Sequence, residues 1–202
     1  MSTRMLIATG LALFLLLNVS LMSLYVLVRH EGRNAPQQTH NLPVIKSLEP
    51  FALTSEKNKP FSSASLLGKV WVADFFFTSC PNPCPTMTRN MAGVAETLKD
   101  FDDVAFVSIS VDPDTDTPQV LASYGKKYGA DPERWNFLTG PEEAIKAIAV
   151  EGFLVGSVDD PIIHSPKFCL VDKRGRIRGY YTGTEDAEMD RLVTDIHQLR
   201  KE

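Results

Sequence analysis

The chain has 202 residues, of which 44% are hydrophobic, and its formal net charge of −4 comes from 21 basic and 25 acidic side chains. Charges of both signs are interspersed and no basic block stands out, so the pattern of a nucleic-acid-binding protein is absent from the sequence. Three cysteines are too few for a disulfide scaffold, and the roughly 160 residues after the amino-terminal segment are enough for one domain.

The amino-terminal segment divides into a short tail, an apolar run and a polar linker. Residues 1–4 form the tail, and residues 5–28 contain no charged side chain. As a helix this run extends about 36 Å, which is enough to cross a bilayer, and we predict an uncleaved transmembrane anchor. The alternative is a cleaved signal peptide, whose apolar core is usually only about 7–15 residues long. Residues 29–41 predict a flexible linker, and residues 42–202 predict the folded domain.

The first half of the domain predicts a strand followed by a thiol-bearing turn and a helix. Phe51 to Leu53 and Phe61 indicate a small hairpin that leads into it. Val70 to Phe77 is nearly all apolar, which is typical of a central strand covered on both faces, and Asp74 is its exception. In Thr86 to Lys99 the apolar residues recur at i, i+4, i+7, i+8 and i+11, which predicts a helix.

Strands and helices continue to alternate through the second half. The predicted elements are a strand at Val104 to Val111, a helix from Thr117-Pro118 to about Tyr128, a helix that opens at Gly140 to Glu143, a loop over Glu151 to Pro161, a hairpin of Lys167 to Val171 with Arg176 to Tyr181, and a last helix from Thr184. This alternation predicts an α/β fold, a mixed sheet flanked by helices.

Cys80 and Cys84 are the main candidates for chemistry. They lie between a strand and a helix, and the amino end of a helix favours a thiolate, which is both a nucleophile and a ligand for soft metals. A redox pair usually has two residues between its cysteines, whereas three lie here, Pro81-Asn82-Pro83. The prolines stiffen the loop, which favours metal binding, although a disulfide stays open; two buried structural cysteines are the plainest alternative.

His164 is the histidine best placed to join the two cysteines. It lies just before a predicted strand, and in a thioredoxin-like fold that loop faces the cysteine turn. A neutral imidazole there could complete a sulfur and nitrogen site for copper. The other interpretation is a structural histidine held by hydrogen bonds. His30 and His40 are expected to be solvated in the linker, and His197 is expected at the surface of the last helix.

Other candidates have simpler interpretations. Met87 and Met91 have helical spacing and predict core packing, and Cys169 in an apolar strand predicts a small core residue. The run Asp112, Asp114 and Asp116 lacks the glycine and later glutamate of a calcium loop and indicates a turn and helix start. Asp74 is expected to have a partner or a raised pKa, and a role in proton transfer to the thiols stays open.

Several motifs occur in a defined order along the domain. Phe75 to Pro85 read Phe-Phe-Phe-Thr-Ser-Cys-Pro-Asn-Pro-Cys-Pro, and Ser110 to Pro118 read Ser-Val-Asp-Pro-Asp-Thr-Asp-Thr-Pro. Leu138-Thr139-Gly140, His164-Ser165 and Leu170-Val171-Asp172 follow. This combination resembles the Sco/SenC family of copper proteins, which assist the assembly of cytochrome c oxidase. The resemblance extends over roughly residues 42–199, with the single anchor before them.

The resemblance implies a thioredoxin-like fold and a copper site. In the family two cysteines and a later histidine bind copper, and they correspond to Cys80, Cys84 and His164. Ser165-Pro166-Lys167 departs from the β-compatible residues expected after the histidine. If the bond before Pro166 is cis, this loop would resemble the cis-proline loop of thioredoxins.

The side of the membrane on which the domain lies also follows from the resemblance. Arginines flank both ends of the apolar run, so charge alone does not orient the anchor. A membrane-tethered thiol site suits the oxidising side, and the resemblance implies that the domain lies in the periplasm or the intermembrane space.

The first hypothesis is a membrane-anchored copper chaperone rather than an enzyme. It would bind one copper ion, Cu(I) or Cu(II), and deliver it to the copper-bearing subunit of cytochrome c oxidase. Alternatively, it would keep the copper-site cysteines of that subunit reduced. Another copper carrier or a thiol reductant would be a further partner of the protein. The alternative is a thiol–disulfide oxidoreductase that uses Cys80 and Cys84 without metal and forms a disulfide between them when oxidised. A peroxidase of the peroxiredoxin kind is disfavoured because Phe77 stands where those enzymes have threonine.

Overall fold

The computed structural model describes residues 42–156 and 165–202, together with the three isolated positions 18, 20 and 22. The predicted tail, anchor and linker fall almost entirely outside the described residues, and His164 does so as well. Within the described ranges, no helix has the length and apolar character needed to cross a bilayer. The predicted domain boundaries therefore stay predictions.

The described strands form one mixed sheet. They are β1 (Lys46–Ser47), β2 (Ala52–Ser55), β3 (Pro60–Ser62), β4 (Val70–Phe76), β5 (Val104–Ser110), β6 (Trp135–Thr139), β7 (Lys167–Val171) and β8 (Arg176–Thr182). Their order across the sheet is β1-β8-β7-β4-β5-β6-β2-β3. β4, β5 and β6 run parallel, and the other neighbouring pairs are antiparallel.

Helices cover both faces of this sheet, as the sequence predicts. The α-helices of residues 42–156 and 165–202 are α1 (Cys84–Thr97), α2 (Pro118–Lys127), α3 (Glu142–Ala147) and α4 (Asp186–Leu199). A 3₁₀ turn at Ser63–Leu66 and a π-helical turn at Ile148–Gly152 add to them. Buried residues of α1, α2 and α4 share one apolar cluster, and those of α3 and the π-helical turn belong to the cluster on the other face.

β4 is the centre of the fold. All seven of its residues are buried, and it pairs in register with β5 from Val70 opposite Val104 to Phe76 opposite Ser110. Alternate side chains along β4 enter opposite clusters, so both faces need apolar residues. The predicted central strand is confirmed, and its carboxyl end leads straight to the two cysteines.

β6 and the segment that begins at Glu151 differ from what the sequence pattern predicts. β6 has no counterpart among the predicted elements, because five residues between turn-forming segments carry little periodic signal and its pairing with β5 and β2 defines it. The predicted loop after Glu151 is partly core, since Phe153 and Val155 are buried. Phe153 packs edge-on against three rings, those of Phe51, Trp71 and Phe75.

Arg178 on β8 fastens the domain where its described part begins. Its side chain is 4% exposed, and its guanidinium donates two hydrogen bonds to the carbonyl of Leu42, at 2.6 and 3.1 Å. It also pairs with Asp172 at 3.0 Å and with Glu202 at 2.6 Å. Asp172 follows Val171, which pairs with Trp71 near the start of β4. This clamp therefore lies at the opposite end of the sheet from Cys80.

Candidate metal centre

Two free thiols lie where the central strand gives way to the first helix. Residues 77–83 connect β4 to α1, and we call this connection the cysteine loop. Cys80 and Cys84 are 4% and 5% exposed, whereas Pro81 and Asn82 between them are exposed to solvent. Both cysteines belong to the apolar cluster beneath α1, so their thiols are buried although Pro81 and Asn82 of the loop are exposed.

The helix begins earlier than the sequence pattern predicts. Cys84 rather than Thr86 is its first residue, and the N-cap Pro83 contributes no side-chain hydrogen bond to the helix terminus. The first N–H groups of α1 therefore point towards the cysteine loop without a capping side chain. Among the described residues the single cis peptide bond is Asn82–Pro83, so the Ser165–Pro166 bond is trans and lacks the resemblance to a thioredoxin cis-proline loop.

Burial dominates the proton affinity of Cys84. Its pKa is raised to about 12, first by loss of solvation and further by a hydrogen bond and charge repulsion with Cys80 and by repulsion from Asp74. A hydrogen bond to the backbone of Phe77 opposes this shift. The sequence argument from the helix terminus predicted a stabilised thiolate, but in this protein burial outweighs that effect. A metal ion that binds this sulfur has to displace its proton.

Asp74 lies on the same face of the sheet, beneath the cysteines. Burial raises its pKa to about 7, although a hydrogen bond with Ser108 opposes the shift, and its Oδ1 has no hydrogen-bond partner among the described residues. The expected raised pKa is confirmed. Ser108 also accepts a 2.9 Å hydrogen bond from the indole of Trp135, which connects Asp74 to β6.

A second buried aspartate fixes the start of the cysteine loop. Asp116, between β5 and α2, accepts a 3.0 Å hydrogen bond from the backbone N–H of Thr78 and another from the Thr78 hydroxyl. It also accepts a 2.5 Å hydrogen bond from the hydroxyl of Ser110. The sequence pattern predicted only a turn and helix start here, which Thr117 confirms by capping α2. The contact with Thr78 joins residues 38 positions apart and leaves no signal in a single sequence.

The remaining candidates lie where the simpler interpretations place them. Met87 and Met91 are 1% and 0% exposed in the core, as predicted. Cys169 is fully buried on the other face of the sheet, opposite Ala73, which confirms it as a core residue away from the pair. His197 on α4 is partly exposed, as expected, and packs edge-on against the ring of Phe101.

Two of the three predicted metal ligands, Cys80 and Cys84, lie among the described residues. Over residues 42–156 and 165–202, no cluster of three or more histidine, cysteine, aspartate or glutamate side chains is arranged to hold a metal ion. His164, the predicted third ligand, lies outside the described residues. The described part of the site therefore supplies two adjacent thiols, and these are the soft donors that copper and zinc prefer.

Comparison with known proteins adds a family. The family model described as SCO1/SenC matches residues 41–201. A relative from Bacillus subtilis named as a SCO1 protein homolog is 34% identical over 160 residues, which span 76% of this chain and 83% of the relative.

Solved structures agree in fold as well as in sequence. The structure of BsSco, described as a member of the Sco family of cytochrome c oxidase assembly proteins with a disulfide switch, matches with a TM-score of 0.70 and 34% identity. That match covers 79% of this chain and 96% of BsSco. The copper-bound structure of Arabidopsis thaliana ScoI matches with a TM-score of 0.64 and 29% identity over 76% of this chain and 99% of that one. The predicted thioredoxin-like architecture is thereby confirmed for the described domain.

Proposed function

Because the chain belongs to the SCO1/SenC family, we propose that it is a copper chaperone for cytochrome c oxidase. It binds one copper ion through Cys80, Cys84 and His164. It delivers the copper to the copper-bearing subunit of the oxidase, or keeps the copper-site cysteines of that subunit reduced, during assembly. The observation that carries the proposal is the pair of adjacent, buried, free thiols at the start of α1.

The donor chemistry supports copper. Two sulfur ligands favour Cu(I), and an imidazole nitrogen suits either oxidation state. Because both thiols are buried, bound copper would be shielded from bulk water. Pro81 and Asn82, which follow Cys80 directly, are exposed, so the site would still lie close to the surface. That combination suits a carrier, which must hold its cargo without making it inaccessible to a partner.

Thiol chemistry without metal is the second candidate. The hydrogen-bond contact between Cys80 and Cys84 favours it, because two thiols this close can join as a disulfide. In that reaction the pair loses two electrons and two protons to a disulfide in a partner protein, which becomes a dithiol. The disulfide switch described for BsSco, a protein of the same family, supports this chemistry.

An anaerobic copper titration of the purified full chain tests the site. We expect one Cu(I) per chain, with two sulfur ligands and one nitrogen ligand in X-ray absorption. Cys80→Ser and Cys84→Ser should each abolish tight binding, since one thiolate does not replace two. Cys169→Ala is the matched control, because that thiol lies on the other face of the sheet, and it should bind copper as the parent does. Unchanged affinity in either of the first two variants would rule out the site.

His164→Ala separates the chaperone from the reductase. Loss of a metal ligand should lower copper affinity by orders of magnitude, most visibly for Cu(II), whereas the reduction potential of the cysteine pair should shift by only about 30 mV per pKa unit of thiol stabilisation. His197→Ala is the control, since that ring packs on Phe101. If cells with His164→Ala assemble the oxidase normally while cells with the cysteine variants do not, the protein acts as a thiol reductase.

A further inference from the structure

Asp116 contacts the cysteine loop from a different part of the chain. Its side chain is 0% exposed and accepts three hydrogen bonds, from the backbone and hydroxyl of Thr78 and from the hydroxyl of Ser110. Ser110 in turn accepts a 3.1 Å hydrogen bond from the backbone N–H of Asp112. One carboxyl group therefore joins the end of β5, the turn before α2 and the cysteine loop.

Two of the three hydrogen bonds go to one residue of that loop. Thr78 lies two positions before Cys80, and the backbone N–H of Cys80 donates to the carbonyl of Phe77 at 3.2 Å. The next residues, Ser79, Pro81 and Asn82, are exposed. Asp116 thus holds the loop on the strand side of Cys80, while the start of α1 holds it on the other side.

Burying a carboxyl group costs free energy, because the group loses its contacts with water. An apolar residue of similar size often gives equal or greater stability, so a buried aspartate calls for a reason beyond stability. Among the described residues no lysine or arginine forms an ion pair with Asp116, and its partners are the hydroxyl and amide groups that border the loop. Such directional contacts fix a position rather than balance a charge.

We propose that Asp116, acting through Thr78, is a positioning residue that holds Cys80 in its metal-binding place before copper arrives. The inference rests on the proposed copper function. If the loop were free, only a fraction of molecules would present both sulfurs correctly, and the apparent affinity would fall by that fraction. The bound site itself would be the same once formed.

Thr78→Val tests this by removing one hydrogen bond while keeping the shape of the side chain. We expect the Cu(I) affinity of the purified full chain, measured against a competing chelator, to fall about tenfold, as it would if one molecule in ten were competent. The absorption spectrum of the copper-loaded form should not change. Thr78→Ser keeps the hydroxyl and should restore the affinity, and Asp116→Ala should lower it further.

Tyr181→Phe is the matched control, because it also removes one hydrogen bond from a hydroxyl to a buried aspartate, that of Tyr181 to Asp195 at 2.7 Å. It should lower thermal stability by about as much as Thr78→Val and leave copper affinity unchanged. Parental affinity in Thr78→Val, or an equal loss of affinity in Tyr181→Phe, would overturn the inference. Failure of the parent chain to bind copper would instead remove the proposed function, so the two failures are distinguishable.

Discussion

At the residue scale, Cys84 and Asp74 share one face of the sheet and both hold their protons more tightly than they would in water. Loss of solvation is the main cause for each, and it raises their pKa values to about 12 and about 7. The negative charge that either group could acquire disfavours charge on the other. Burial around Cys84 and Asp74 therefore favours the neutral form of each group.

Asp74→Asn should change how stability depends on pH. The pKa of Asp74 is higher in the folded state than the ordinary value of 3.8, so between about pH 4 and pH 7 the folded state binds more protons than the unfolded state. Stability contributed by this group is therefore present at low pH and is lost as pH rises through that window, by on the order of 4 kcal/mol. In Asp74→Asn without copper, the free energy of unfolding measured with urea should not fall between about pH 4 and pH 7 as it does in the parent.

Asp172→Asn gives the comparison of opposite sign. Burial raises the pKa of Asp172, but hydrogen bonds from Arg176, the backbone and Arg178 outweigh burial and lower it overall. That group stabilises the fold above its unfolded pKa and loses the contribution as pH falls, so its variant should weaken most at neutral pH. If Asp74→Asn has the same pH slope as the parent, Asp74 is not protonated in the folded protein at pH 6.

At the scale of elements, the sequence predicts what repeats and misses what depends on distant partners. β4 and α1 follow from an apolar run and a helical period, and the two cysteines follow from their place between them. β6 escaped prediction because its strand character comes from pairing with β5 and β2. The contact of Asp116 with Thr78 was equally hidden, since no local pattern shows that the loop after one strand meets the turn after the next.

Two glycines in helices test how tightly the elements pack. A methyl group added at Gly125 of α2 would lie 2.8 Å from the ring of Phe137, which is itself stacked on Trp135, whereas one added at Gly93 of α1 would meet nothing within 4 Å. Gly125→Ala should therefore destabilise the fold by about 1–3 kcal/mol from overpacking, less what helix propensity returns. Gly93→Ala should stabilise it by up to about 1 kcal/mol.

Urea unfolding midpoints of the two variants measure this difference. Equal stabilisation in both would mean that α2 can move away from β6, which would also loosen the turn that carries Asp116.

At the scale of the whole molecule, the charge-free run of residues 5–28 predicts the membrane location. The full-length protein should keep its amino terminus, fractionate with membranes, and expose the domain to protease on the periplasmic or intermembrane-space side. Amino-terminal sequencing of the mature protein checks this. A sequence that starts after residue 25 would show a cleaved signal peptide instead of an anchor.

The clamp formed by Arg178 has a mechanical consequence. It grips the carbonyl of Leu42 at the end of the sheet where β4 begins, and the thiols follow the other end of that seven-residue strand, roughly 20 Å away. Tension applied through the preceding chain would be borne by this guanidinium and by the edge pairing of β1 with β8. Because the clamp and the cysteine loop lie at opposite ends of β4, tension on the linker would be borne far from the two sulfurs and would leave their spacing undisturbed.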